Sequence, residues 1–226
     1  MDMTPERWRN TTDYLTEVFG RPDEQQATLM RRAVAAGLPD IAVDAAAGRL
    51  LALLAATTNQ GRGARCIVEV GTLAGYSALW LARALAPGGR LVTIEIDPDR
   101  AAFAQAEFQR AGLADRIDIR TGAALDVLPG LLRDLEPAMV DVAFLDAVKT
   151  EYDAYADLLA PRLAPGALLI ADNALGAGDW WIDTPQGANP ARDAIDAFNR
   201  RIALDTRFDT AAVPLREGLV IARRRP

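Results

Sequence analysis

Residues 66–80 read Cys66-Ile67-Val68-Glu69-Val70-Gly71-Thr72-Leu73-Ala74-Gly75-Tyr76-Ser77-Ala78-Leu79-Trp80. A short, mostly apolar run meets one glycine, and four residues later a second glycine opens a segment with helical apolar spacing. That is the pattern of a buried strand, a tight turn and a helix. It recurs downstream. Residues 90–94, 117–120, 140–145 and 167–171 read as buried strands, and amphipathic stretches at roughly 75–86, 98–111, 124–135 and 150–163 read as helices. After a helix at 191–201, apolar stretches at 202–208 and 218–222 bring the strand count to seven. The alternation predicts an α/β fold: a Rossmann-like, doubly wound, mostly parallel seven-stranded sheet with helices on both faces.

Upstream, residues 1–60 are expected to form extra N-terminal helices, broken at Gly20-Arg21-Pro22 and Gly37-Leu38-Pro39. No repeat or low-complexity linker separates them from the core at 65–226, so the expectation is one domain over 1–226. The composition excludes several chemistries. There is no histidine and a single cysteine, Cys66, which removes Ser-His-Asp and Cys-His catalysis, His-ligated zinc and an intrachain disulfide. The net charge of −6 disfavours nucleic acid and anionic membrane as partners. No apolar run approaches the ~18 residues of a membrane span, and residues 1–10 lack the apolar core of a secretory signal. A cytoplasmic protein is expected. Of 25 basic residues, 24 are arginine; the one lysine is Lys149.

In sheets of this type, ligands bind beyond the carboxyl ends of the strands. Gly71 and Gly75 stand at the first such end, although glycines four apart also serve helix packing. Twenty residues past Gly75, the second strand ends in Glu95, placed to accept hydrogen bonds from a ribose diol. The loop lacks the third glycine that admits a pyrophosphate, and Glu69 would repel one. A ligand carrying an amino group and a sulfonium suits it better, which points to S-adenosylmethionine. The next strand runs into Asp146, with Lys149 three residues on, and the following one ends in Asp172-Asn173. Two carboxylates and an amide at neighbouring strand tips form a hard-cation set, for magnesium or a similar ion; singly, each reads as a helix cap or turn former. A lysine, unlike arginine, can act as a base once desolvated or placed near a cation.

Taken together, Glu69-x-Gly71-x-x-x-Gly75-Tyr76-Ser77, Ile94-Glu95, Phe144-Leu145-Asp146-x-x-Lys149-x-x-Tyr152 and Asp172-Asn173 resemble the cation-dependent O-methyltransferases of the catechol and caffeoyl-CoA type. The likeness continues through Phe198-Asn199-Arg200-Arg201, Asp205-x-Arg207 and Pro214-Leu215-x-Glu217-Gly218-Leu219, in the manner of bacterial members. It implies that Glu69, Gly71 and Ser77 line the methionine part of the cofactor, Glu95 the ribose, and Gly122, Ala123 and Ala124 the adenine edge. Val43, Gly75 and Tyr155 complete the cofactor set. Asp146, Asp172 and Asn173 are then the metal ligands, Asp146 also lies near the cofactor's amino group, and Lys149 is the base at the acceptor. A homodimer and a vicinal-diol, catechol-like acceptor are implied as well.

Departures from the pattern fall at Ala147-Val148, small and apolar beside the metal set, and at Asp44-Ala45-Ala46-Ala47-Gly48, where relatives tend to read Pro-Glu-Gln-Gly. Trp180 and Trp181, in a glycine-flanked loop, are candidates to wall an aromatic acceptor, or equally dimer contacts or core. Two other readings stay open on sequence: an NAD-dependent oxidoreductase on a similar sheet, and a catalytically silent cofactor-binding protein.

Overall fold

The computed structural model describes residues 4–136, 138–176 and 189–226. Five strands run parallel: β1 (Ala64–Val70), β2 (Leu85–Glu95), β3 (Ile117–Thr121), β4 (Val140–Leu145) and β5 (Leu163–Asp172). Two more, β6 (Phe208–Val213) and β7 (Leu219–Arg224), complete the sheet in the order β3-β2-β1-β4-β5-β7-β6, with β7 antiparallel to both neighbours. The chain starts in the middle and winds outward in both directions, so the strand order switches between β1 and β4. That switch point is where such sheets open a crevice for ligands.

The two-residue period of the strands divides the core. Val68, Val70, Ala143 and Leu145 face α6 (Ala124–Asp134), α7 (Tyr152–Leu159) and α8 (Pro190–Leu204). Ile67, Val142 and Phe144 face the other way, against α3 (Ala45–Gly61), α4 (Tyr76–Ala82) and α5 (Pro98–Arg110). Both faces of the sheet are therefore covered, which is why its strands are near-continuous apolar runs. Local signals place the helix starts. The Asp44 carboxylate accepts from the Ala47 N–H at 2.7 Å to cap α3, and Asp97, ahead of Pro98, accepts from the Asp99 N–H at 2.8 Å to cap α5.

The N-terminal helices α1 (Pro5–Leu15) and α2 (Glu24–Ala35) are tied to the core by polar contacts. The Trp8 indole N–H donates to the Arg216 carbonyl at 3.0 Å, and Arg32 on α2 pairs with the buried Glu107 of α5. The breaks expected at Gly20 and Gly37 lie at the ends of helical segments.

Three boundaries differ from the expectation. The helix expected at 75–86 ends at Ala82, because Leu85 already pairs with Ala64 and the chain bulges through Pro87-Gly88-Gly89 before rejoining β1 at Cys66. β5 likewise begins at Leu163, bulging through Pro165-Gly166. At the far edge the apolar stretch 202–208 is not a strand: Ile202 is buried from the last turn of α8, and β6 starts only at Phe208.

Candidate active site

A cavity of about 380 Å³ opens at the switch point, between the tips of β1, β2 and β4. Gly71 shows how closely the tips of β1 and β4 approach. Its φ is +103°, and a Cβ built there would lie 2.1 Å from the Asp146 carbonyl oxygen. The Asp146 N–H donates to Val70 O at 2.9 Å across that junction, and the Gly71 N–H donates to Ile94 O of β2 at 3.0 Å. Gly75 has a different reason: at φ +82° it precedes α4, and a Cβ would strike the Phe108 ring at 2.4 Å. At both glycines a protein neighbour already occupies the space a Cβ would need; Gly71 also borders the cavity, whereas Gly75 does not. This corrects the sequence argument for why they are glycine.

Glu69 is also placed differently from the expectation. It is fully buried and lies behind the cavity wall. Strand parity explains this: Glu69 shares the face of Ile67, which looks at α4, and there Ser77 Oγ donates to its Oε1 at 2.7 Å. Thr93 Oγ1 donates to the other oxygen at 2.6 Å and lies 2.5 Å from Thr72 Oγ1. Burial pushes the Glu69 carboxyl up to about 7, against the pull of its two hydroxyl donors. Ser77 and Thr72 line the cavity in its stead. Thr72 and Thr93 were missed in the sequence, where nothing marks them apart from position.

Glu95 lines the cavity as expected. Its Oε2 accepts from the Leu73 N–H at 2.8 Å, and Leu73 is held at φ +50°, a strained conformation for a branched residue. Gly122, Ala123, Ala124, Val43 and Tyr155 border the same space, as does Glu151, which sequence reasoning passed over. Ile41, Ile96 and Val148 also line it while remaining 60%, 65% and 50% exposed.

Asp146 and Lys149 stand at the β4 end of the cavity. The Lys149 ammonium donates to Asp146 Oδ1 at 2.7 Å and to the Tyr152 hydroxyl at 2.9 Å. That hydroxyl donates to the Leu145 carbonyl at 3.0 Å, so the lysine head is fixed from two sides. On the adjoining strand tip, Asp172 and Asn173 are buried, next to Asp146 rather than in the cavity wall. Burial, and then the negative charge of Asp146, push the Asp172 carboxyl up to about 7. Asn173 sits at φ +62° and gives its amide N–H to Glu217, which leaves its carbonyl oxygen as the atom available to a ligand. Two carboxylates that repel one another beside an amide oxygen are a donor set fitting a hard cation. Among the described residues no group of three Cys, Asp or Glu side chains is arranged to hold a metal. Trp180 and Trp181 lie outside the described residues.

Residues 21–225 match the sequence profile of the O-methyltransferase family, and the chain belongs to that family as an S-adenosylmethionine-dependent O-methyltransferase of the catechol and caffeoyl-CoA type. The catechol O-methyltransferase of Niastella koreensis is 34% identical, over 94% of this chain and 93% of that one. The catechol O-methyltransferase of Mycobacterium tuberculosis is 40% identical over 73% of this chain and 71% of its own. Among solved structures, the Bacillus cereus O-methyltransferase in complex with S-adenosylhomocysteine superposes with a TM-score of 0.85 at 33% identity, covering 97% of this chain and 99% of that one. The O-methyltransferase of Streptomyces achromogenes involved in tomaymycin synthesis, solved with S-adenosylmethionine, gives 0.84 at 32% identity with full coverage of both. The oxidoreductase reading falls with this assignment. Among the described residues no helix is long and apolar enough to cross a membrane.

Proposed function

We propose that this protein transfers a methyl group from S-adenosylmethionine to one hydroxyl of a catechol-like vicinal diol, with a divalent cation, magnesium or a similar ion, at Asp146, Asp172 and Asn173. The observation that carries the reading is the position of Asp146. It lines the cavity, holds the Lys149 ammonium at 2.7 Å, and adjoins the buried Asp172.

S-adenosylmethionine supplies an electrophilic methyl group, and a divalent cation, when bound, supplies charge that makes a chelated hydroxyl more acidic. The residues of the chain do the rest. Glu95 accepts from the ribose diol while its own orientation is fixed by the Leu73 and Asp97 N–H groups. Val43, Gly71 and Ser77 border the methionine end, and Gly122, Ala123 and Ala124 the adenine end, with Tyr155 beside them. As the neutral amine, Lys149 Nζ takes the acceptor's proton and becomes the ammonium that Asp146 and the Tyr152 hydroxyl hold. Ile41, Ile96 and Val148 offer hydrocarbon to the ligands and exclude water when both are seated. The short β1–β4 junction sets cofactor and acceptor at one spacing, and alignment of that kind can be worth about 7–11 kcal/mol of barrier.

A cytoplasmic homodimer is the proposed form; exposed Tyr14, Phe19 and Leu53 on the N-terminal helical segments offer apolar surface to a second copy, checked by sedimentation. The deciding experiment is a methyl-transfer assay over catechols, hydroxycinnamoyl thioesters and flavonoids, with and without EDTA. Turnover of a vicinal diol that EDTA abolishes and magnesium restores is expected; turnover indifferent to EDTA removes the cation from the proposal.

A further inference from the structure

We infer that Glu151 reads the exocyclic amino group of the cofactor's purine, so that the cavity selects a 6-amino over a 6-oxo base. The inference rests on the cavity being the S-adenosylmethionine site. Glu151 ends the short turn Lys149–Glu151 ahead of α7, and it lines the cavity. Helices α6 and α7 pack against one another, with Ala124, Leu128 and Tyr155 in one core; Gly122, Ala123 and Ala124 line the same cavity as Tyr155 and the Glu151 it holds. The Gly122 N–H donates to the Glu95 carbonyl at 2.8 Å, so this end adjoins the ribose carboxylate and is where a base joined to that ribose must lie.

Few groups there can tell one purine from another. Gly122, Ala123, Ala124 and Ile96 carry no polar side chain. Among the described residues, the remaining polar side chains at this end are Arg100, Tyr155 and Glu151. Arg100 is drawn to Asp97 at 3.6 Å. The Tyr155 hydroxyl spends its only hydrogen on Glu151 Oε2, at 2.5 Å. Glu151 keeps its second oxygen, and a carboxylate accepts without donating. It takes an N–H from a 6-amino group and is repelled by a 6-carbonyl oxygen. Tyr155 acts through Glu151 as a positioning residue.

The test is calorimetric titration of the purified protein with S-adenosylhomocysteine and with its 6-oxo analogue, S-inosylhomocysteine. Wild type should favour the amino compound by about tenfold or more, the range of a charged hydrogen bond. In Glu151→Gln, whose amide can donate as well as accept, the preference should shrink to about threefold or less. In Tyr155→Phe it should fall partway. A Glu151→Gln protein that keeps the wild-type ratio, or a wild type with no preference, overturns the inference. Glu95→Gln separates the two layers: it should weaken both ligands alike, and if it weakens neither, the location of the cofactor is wrong and this inference falls with it. A merely structural role for Glu151 would weaken both ligands together and leave the ratio unmoved, which also counts against the inference.

Discussion

Replacing Glu69 by Gln should stabilise the protein, and increasingly so as pH rises. The buried carboxyl has its pKa at about 7 instead of the ordinary 4.5. Between those values the folded chain holds a proton that the unfolded chain has released, so folding stability falls as pH rises through that window and the whole penalty is present above it. At ~1.4 kcal/mol per pH unit, the total is about 3 kcal/mol, of which roughly 2 kcal/mol accrues between about pH 5.5 and about pH 8. Gln carries no charge at any pH in this range. Its amide reproduces the bonding of the protonated acid, since the oxygen accepts from one hydroxyl while the nitrogen donates to the other. The advantage of Glu69→Gln over wild type should therefore widen by about 2 kcal/mol across that interval, or roughly 4–8 °C in Tm for a chain of this size. Thermal unfolding of both proteins without cofactor or cation measures it. Asp172, also pushed up to about 7, contributes a slope of the same sign to both proteins and cancels in the difference. Parallel stability curves for the two proteins would refute the reasoning.

Lys149→Ala should lower kcat by about 10²–10⁴ while leaving S-adenosylmethionine affinity unchanged by calorimetry; wild-type turnover would remove the lysine from the proton transfer. Gly75→Ala drives a Cβ into the Phe108 ring at a positive φ, and a loss of about 1–3 kcal/mol is expected by denaturant unfolding. Phe108→Leu should recover part of that loss in the double variant. Asp172→Asn removes a proposed ligand, so magnesium should raise the Tm of wild type and leave that of the variant unmoved.

The central strands and their tips were legible because a buried parallel strand leaves an apolar run with a polar residue at its end, as at Val140–Leu145 followed by Asp146. Glu95 was legible for the same reason, and Lys149 stood out as the one lysine, three residues past Asp146. Leu85 and Leu163 were not: each is apolar, precedes Pro-Gly, and reads as well as the end of a helix as the start of a strand. β6 was misplaced because Asp209, Thr210 and Ala211 give an edge strand no apolar signature, while Ile202 gives one to the end of a helix. Glu69 was read as facing the ligand because it stands at a strand tip. Counting by twos from Ile67 would have turned it toward α4, where Ser77 waits. Glu217, the partner of the Asn173 amide, lies 44 residues away in sequence and becomes its neighbour only when β7 pairs with β5.

The contact of Gly71 with the Asp146 carbonyl has an evolutionary meaning. Because no side chain stands between the two strand tips, no substitution can tune the spacing of donor and acceptor by small steps; any Cβ there forces the strands apart. Ala147 and Val148 line the cavity just past that contact, and a change of side chain at either leaves the backbone approach of Gly71 to Asp146 as it is. On the proposed function, the architecture separates a backbone contact that a side chain cannot adjust from cavity-lining side chains that can, so a change of acceptor need not realign the methyl donor.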